Sequence, residues 1–195
     1  MKVTRDQVLA HRRRILDAAA RMFREKGFDR VGVADIMTAA GLTHGAFYGH
    51  FTSKQDLAVQ AFSHAVSGSD EAWTRVGEMA AGGGLGFAAG AYLTPDHRGR
   101  IGEGCPFAAL ATDVARQGGA ASRVFAEGLK AEIDRFTPLA SGSSEAERRA
   151  QAITAWAGMI GAMVLARAAG DPALSDEILA TVAASLDGPS ADRRD

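Results

Sequence analysis

Gly41 stands between two short apolar-periodic runs, and this limits the chain to few folds. Upstream, Val33 to Ala40 sets Ile36 and Ala40 on one face at helical spacing. Downstream, Thr43 offers an N-cap hydroxyl to a second helix over His44 to Phe51. At 100° per residue Phe47 and Phe51 point inward, while His44, Gly45, Tyr48 and Gly49 cover the other side. A turn led by glycine, where a positive φ is needed, between two helices of this length is the pattern of a helix-turn-helix. The bland alternative is a helical hairpin inside a bundle.

The flanks carry start and stop signals. Thr4 and Gln7 have capping-box spacing, with Val3 and Val8 placed as a hydrophobic staple. Ile15, Ala19, Met22 and Phe23 then repeat at helical spacing, and Gly27 is placed to end the helix in a left-handed turn. Ser53 and Asp56 repeat the capping-box spacing before a longer helix with Leu57, Ala61, Phe62 and Ala65 inside. Beyond it, "SGSDEAW" and "AGGGLG" read as helix breaks or bends, and helices are expected near 70–81, 85–93, 105–117, 120–138, 145–169 and 173–187. Residues 93–104 read as a loop. The expected fold is all-α, with a helix-turn-helix DNA-binding domain over 1–53, a second helical domain over 54–187, and a disordered tail over 188–195.

Charge is uneven. Residues 1–56 carry ten basic and six acidic side chains, a balance of +4, while the remaining twelve basic and seventeen acidic give −5. A basic segment on an acidic body favours a polyanionic partner, here duplex DNA. Cys105 is the only cysteine, which fits a reducing compartment. The N-terminus lacks a signal peptide's apolar core, and the apolar run 155–166 falls short of the ~20 residues that span a bilayer. A soluble cytoplasmic protein with no membrane partner and no cofactor is expected.

Residues 9–57, with "ILDAAARMFREKGFD" and "DIMTAAGLTHGAFYGHFTSKQDL", resemble the DNA-binding domain of the TetR (tetracycline-repressor-like) family. "YLTPDHR" and "GCPFAALATDVARQ" look like the ligand-sensing half of one subgroup. The resemblance implies a homodimeric repressor that leaves its operator when a small molecule binds. By position, Thr43, Tyr48, His50 and Lys54 would hold phosphates, and His44, Gly45 and Ala46 would face the bases. Lys54 is supported independently, because its charge and the free N–H groups of a helix start both favour a phosphate. His50 lies at the edge of the outward face, and its alternative is packing against the first helix. Gly32 and Ala34 depart from the family pattern: a cap and phosphate contact often made by Ser or Thr has no side chain here. Part of any specificity is then expected through DNA shape.

In the second half, Trp73, Phe87, Tyr92, Phe107, Trp156, Met159 and Met163, with Cys105, are candidates to line a pocket for a lipophilic effector. Ordinary core packing is the competing reading for each. The helix near 145–169 has two apolar stripes: Trp156, Met159 and Met163 on one, and Ile153, Ala157, Ile160 and Val164 on the other. Two apolar faces need two partners. With Ile178 and Val182 on the last helix, this suggests a four-helix homodimer interface. Cys105 before Pro106 sits at a helix N-cap, where a thiol can react, so a sensor of oxidants or electrophiles is an alternative. An enzyme with Cys105 as nucleophile and His97 as base is a weaker one. Phosphate-loop glycines, paired carboxylates and metal-ligand spacing are absent from the sequence, so no catalytic residue or metal site is assigned. His97 is expected to pack or hydrogen-bond in its loop.

Overall fold

The computed structural model describes residues 4–79 and 84–186. The tail 188–195, Val3 of the staple and the first half of the glycine run at 81–86 lie outside the described residues. Among those described there are helices and no strand: α1 (Arg5–Lys26), α2 (Val33–Ala39), a 3-10 helix (His44–Gly49), α3 (Lys54–Met79), α4 (Gly84–Tyr92), α5 (Pro95–Gly99), α6 (Pro106–Gln117), α7 (Gly119–Phe136), a second 3-10 turn (Thr137–Leu139), α8 (Glu145–Ala168) and α9 (Pro172–Leu186). The chain divides into two compact units, Met1–Ser69 with Ile101–Gly128, and Asp70–Arg100 with Leu129–Asp195. The unit that holds the helix-turn-helix is thus larger than residues 1–53.

Several expectations change. "SGSDEAW" does not break a helix, since α3 runs unbroken through it. One interior glycine costs about 1 kcal/mol, which an established helix tolerates. Ser69 turns its hydroxyl onto the Val66 carbonyl at 2.7 Å. The loop 93–104 contains α5, started by Thr94 with Pro95 in the first turn, and the His97 N–H donates to Thr94 Oγ1 at 3.1 Å. Proline there is a helix starter, which a reading of 93–104 as a loop overlooks. Gly27 ends α1 at φ +79°, but its ψ of 168° lies outside the left-handed helical region.

In the first unit, Ile15, Ala19, Phe23, Ile36, Met37, Phe47, Phe51, Leu57 and Phe62 form the core. Phe62, Phe107 and Phe125 meet with ring centroids 5.1–5.7 Å apart. The capping box of α1 forms in both directions, Thr4 N–H to Gln7 Oε1 at 2.9 Å and Gln7 N–H to Thr4 Oγ1 at 3.3 Å. Gly41 closes α2 at φ +65°. Its N–H donates to Thr38 O and that of Leu42 to Met37 O, both at 2.9 Å, the paired bonds of a Schellman motif.

In the second unit, Trp73, Tyr92, Phe136 and Trp156 are buried against one another, with centroids 5.0–5.9 Å apart among them. Met159 and Met163 are fully buried on the same stripe of α8. A polar latch holds α5 to α8 and α9. Arg167 donates to the carbonyls of His97 and Arg98 at 3.0 and 3.2 Å, and Arg98 donates to Asp176 at 2.7 Å. His97 Nδ1 donates to the Tyr92 carbonyl at 2.7 Å, the packing role expected of it, and burial holds its pKa down.

One side chain ties the helix-turn-helix together. Arg12 on α1 donates to the His50 carbonyl at 2.5 Å and to Gln60 Oε1, and its guanidinium lies 4.6 Å from the centroid of Phe51. Gln60 in turn donates to Asp56 Oδ1 at 2.6 Å, and Asp56 Oδ2 accepts the N–H and hydroxyl of Thr52 at 2.9 and 3.0 Å. Arg12→Ala is expected to lower unfolding free energy by about 2 kcal/mol, because two charge-assisted bonds and a ring contact are lost. Arg12→Lys should recover only part, since an ammonium cannot fork. Urea midpoints that coincide for all three proteins would show that the clamp carries no stability.

Candidate nucleic-acid interface

The outward face follows from what the inner residues do. Phe47 and Phe51 stack at 5.8 Å and are 1% and 2% exposed, so they spend the segment's apolar surface inward. His44, Gly45, Tyr48 and Gly49 are all exposed, Tyr48 by 72%. A Cβ added at Gly45 or Gly49 would meet nothing within 4 Å. The segment is a 3-10 helix, shorter than the α-helix expected to Phe51. Ala46 N–H bonds Thr43 O at 3.1 Å and His50 N–H bonds Phe47 O at 2.9 Å, while Phe51 N–H returns to α-type pairing with Phe47 O at 3.0 Å. Two glycines in six residues weaken the α-helical preference, and the tighter winding is tolerated in a piece this short.

Thr43 takes the extended N-cap conformation, but its side chain makes no cap hydrogen bond, contrary to the expected hydroxyl cap. Tyr48 sits edge-on to Phe47 at 5.1 Å and to His44 at 6.5 Å. Lys54 opens α3 and donates from Nζ to the Asp29 carbonyl at 3.3 Å. Ser53 caps that helix, receiving the Asp56 N–H at 3.0 Å. The Asp56 carboxyl is held below its ordinary pKa, first by the Thr52 N–H and then by the Gln60 amide, so this cap stays charged at neutral pH.

His50 stands beside α1. It is half-buried, its ring centroid 6.5 Å from that of His11 on α1. Burial, then the neighbouring His11 and Arg12, push its pKa below the usual 6.5. Gly32 has no capping side chain, but its own N–H donates to Asp35 Oδ2 at 3.3 Å, so half of a capping box survives. Sequence reasoning missed Arg12 and Gln60, which hold the interface without belonging to its outer face. Arg12 and His50 are 38 residues apart, and neither spacing nor residue type links them.

The other candidates fall in the two units separately. Cys105 and Phe107 belong to the first, and Phe87, Tyr92, Trp156, Met159 and Met163 to the second. Phe87 is 37% exposed, the others buried. Cys105 is the N-cap residue of α6 as expected, with no side-chain cap bond. Arg24 Nε fixes the preceding loop by donating to the Gly102 carbonyl at 2.7 Å. On α8 the two stripes separate as drawn from the sequence: Trp156, Met159 and Met163 are buried, Ile153, Ala157 and Val164 are exposed, and Ile160 is half-buried. Ile178 and Val182 on α9 are half-buried. Among the described residues no helix is long and apolar enough to cross a membrane.

The family model described as "Bacterial regulatory proteins, tetR family" matches residues 15–61, from the middle of α1 to the first turns of α3. An HTH-type transcriptional repressor of Mycobacterium tuberculosis is 43% identical over 56 residues, 29% of this chain and 30% of that one. The HTH-type transcriptional regulator TtgR of Pseudomonas putida is 43% identical over 58 residues, 30% of this chain and 27% of that one. The chain thus aligns with less than a third of the length of these curated relatives. Over nearly the whole chain the fold is that of a TetR-family transcriptional regulator from Cytophaga hutchinsonii, with a TM-score of 0.76 at 18% identity, covering 96% of this chain and 98% of that one. The reduced form of Escherichia coli NemR gives 0.71 at 19% identity, covering 88% and 94%. Residues 15–61 thus match the tetR family of bacterial regulatory proteins in sequence, and nearly the whole chain shares the fold of TetR-family regulators.

Proposed function

We infer that the protein is a homodimeric transcriptional repressor that binds operator DNA through His44–Gly49 and is released by a small lipophilic effector. The observation that carries this reading is the bareness of the recognition face, where Gly45 and Gly49 have no neighbour within 4 Å of a Cβ position. A major groove about 12 Å wide admits such a surface closely. His44, Gly45 and Ala46 would face base edges. Thr43, whose hydroxyl is not spent on a cap, Tyr48 and Lys54 would hold phosphates, which position the helix without reading sequence. The half-buried His50 would contribute at the rim, its carbonyl fixed from behind by Arg12. With few long side chains on this face, sequence-dependent DNA shape would supply part of the discrimination.

The second unit supports the effector half of the reading. Its aromatic and methionine core is apolar, as a site for a lipophilic molecule requires. The uncovered α8 stripe supports the dimer. Ile153 and Val164 are 45% and 43% exposed, and a second copy of the same helix would cover them. Dimerisation sets two recognition helices on half-sites about 34–36 Å apart. A second reading, thiol sensing, is favoured by Arg24, whose positive charge lies within electrostatic reach of Cys105 and would attract a thiolate there. The fold shared with the reduced form of NemR is compatible with it.

Three measurements test these statements. Gly45→Phe should melt within about 0.5 kcal/mol of the parent yet bind DNA fragments selected by the parent at least about tenfold more weakly. Undiminished binding would remove the recognition face from the reading. Sedimentation at micromolar concentration should give a dimer that Ile153→Asp with Val164→Asp converts to monomer, and a monomeric parent would sink the paired half-sites. Under the thiol reading, Cys105→Ser should abolish DNA release by peroxide, hypochlorite and quinones, and a retained response would end it.

A further inference from the structure

The support behind Lys54 begins on α6. Lys54 is half-buried and donates from Nζ to the Asp29 carbonyl at 3.3 Å. Asp29 follows directly on Phe28, whose buried ring lies edge-on to Phe23 at 5.2 Å. The Phe28 N–H donates to Asp113 Oδ1 on α6 at 3.2 Å, across 85 residues of sequence. The carboxylate reaches it past Gly27, where φ is +79° and a Cβ would lie 3.0 Å from the same oxygen. Asp113 Oδ1 also lies 3.4 Å from Arg116 Nη2, and the Asp113 side chain is only 12% exposed. All of these residues lie in the first unit. The connection after α1 is thus pinned twice, by a ring packed inward and by a carboxylate reaching in from α6. The ring fixes where the connection lies. The carboxylate fixes the tilt of its first peptide plane, from which the Asp29 carbonyl projects two planes later.

We propose that Asp113 is a positioning residue for DNA binding: it aims the Asp29 carbonyl at Lys54 and so holds the ammonium group ready for a phosphate. The inference rests on the reading of Lys54 as a phosphate contact. An ammonium has three donors, so one bond to a carbonyl leaves two for phosphate oxygens. A lysine stem free in water gives up rotamer freedom when it closes on DNA, and a stem held beforehand gives up less. Asp113 is itself an anion, so its removal has two effects of opposite sign. Through the field alone, losing a carboxylate tightens binding to a polyanion. Through position, losing the acceptor strips the Phe28 N–H of this partner, loosens the connection and weakens binding. Asparagine separates the two, because its amide oxygen still accepts the N–H while the charge is gone.

The test compares the full chain with Asp113→Asn, Asp113→Ala, Lys54→Ala and the double variant Lys54→Ala with Asp113→Ala. Each is titrated with DNA fragments selected by the parent, over a salt series, with its active fraction fixed by stoichiometric titration. Asp113→Ala should bind about threefold to tenfold more weakly than the parent, with a salt dependence flattened by up to about one phosphate contact. Asp113→Asn should bind at least as tightly as the parent. Where Lys54 is already replaced, Asp113→Ala should cost nothing further, because the group it positions is gone. If Asp113→Ala does not fold, Asp113→Leu, close to asparagine in shape and without an acceptor, takes its place. Asp113→Ala binding as tightly as the parent, or tighter, overturns the proposal. So does a loss of equal size with and without Lys54, which leaves Asp113 a purely structural residue, and so does Asp113→Asn binding as weakly as Asp113→Ala. Lys54→Ala with parental affinity and parental salt slope would instead bring down the phosphate reading, and the proposal with it. Weakened binding by Lys54→Ala beside an unaffected Asp113→Ala would bring down the proposal alone.

Discussion

A 3-10 segment of six residues with two glycines does not hold its own shape in water. What holds it lies behind it. Phe47 and Phe51 anchor one side in the core, and the Arg12 guanidinium grips the terminal carbonyl at His50 while covering the Phe51 ring. The charge sits at the C-terminal end of the segment, where helix carbonyls attract cations. Because fixation comes from the inner side, the outer side needs no bulk for stability. It is left with small or polar residues and exposed backbone. Every proposed function of this surface depends on that division.

The second unit divides its labour in the same way along one helix. The stripe of α8 that carries Trp156, Met159 and Met163 is occupied by the unit's own core. The stripe that carries Ile153 and Val164 is free within a single chain. Gly158 belongs to the arrangement, since a Cβ there would lie 3.7 Å from Val182 Cγ1 on α9, so the two helices run close. Ser175 donates to the Ala166 carbonyl at 2.7 Å, joining α9 to the end of α8.

Much of this was legible in the sequence because it is local. The capping box of α1, the positive φ at Gly41, the inward Phe47 and Phe51 and the two stripes of α8 all follow from residues a few positions apart. The errors had two sources. The stretch 67–73 reads as a break or bend and 93–104 as a loop, although a packed helix absorbs one glycine and a helix start welcomes proline. The other source was distance along the chain. Arg12 with His50, Arg24 with Gly102 and Phe28 with Asp113 are 38, 78 and 85 residues apart, and no periodicity encodes them. The 3-10 winding escaped for a subtler reason: it differs from an α-turn by one bonding position, which propensity does not resolve.

The Phe28–Asp113 bond has a bearing on the construction of chimeric regulators. A helix-turn-helix head cut from this chain at residue 53 would carry Phe28 without the carboxylate that receives its N–H. It would also lack Leu57 and Phe62, which are fully or nearly fully buried in the same core. The transplantable piece is discontinuous: 1–69 together with 101–128. A graft that keeps this helix-turn-helix therefore has to bring its own α6, and the exchangeable seams run through α3 and α7, with a third just before residue 101.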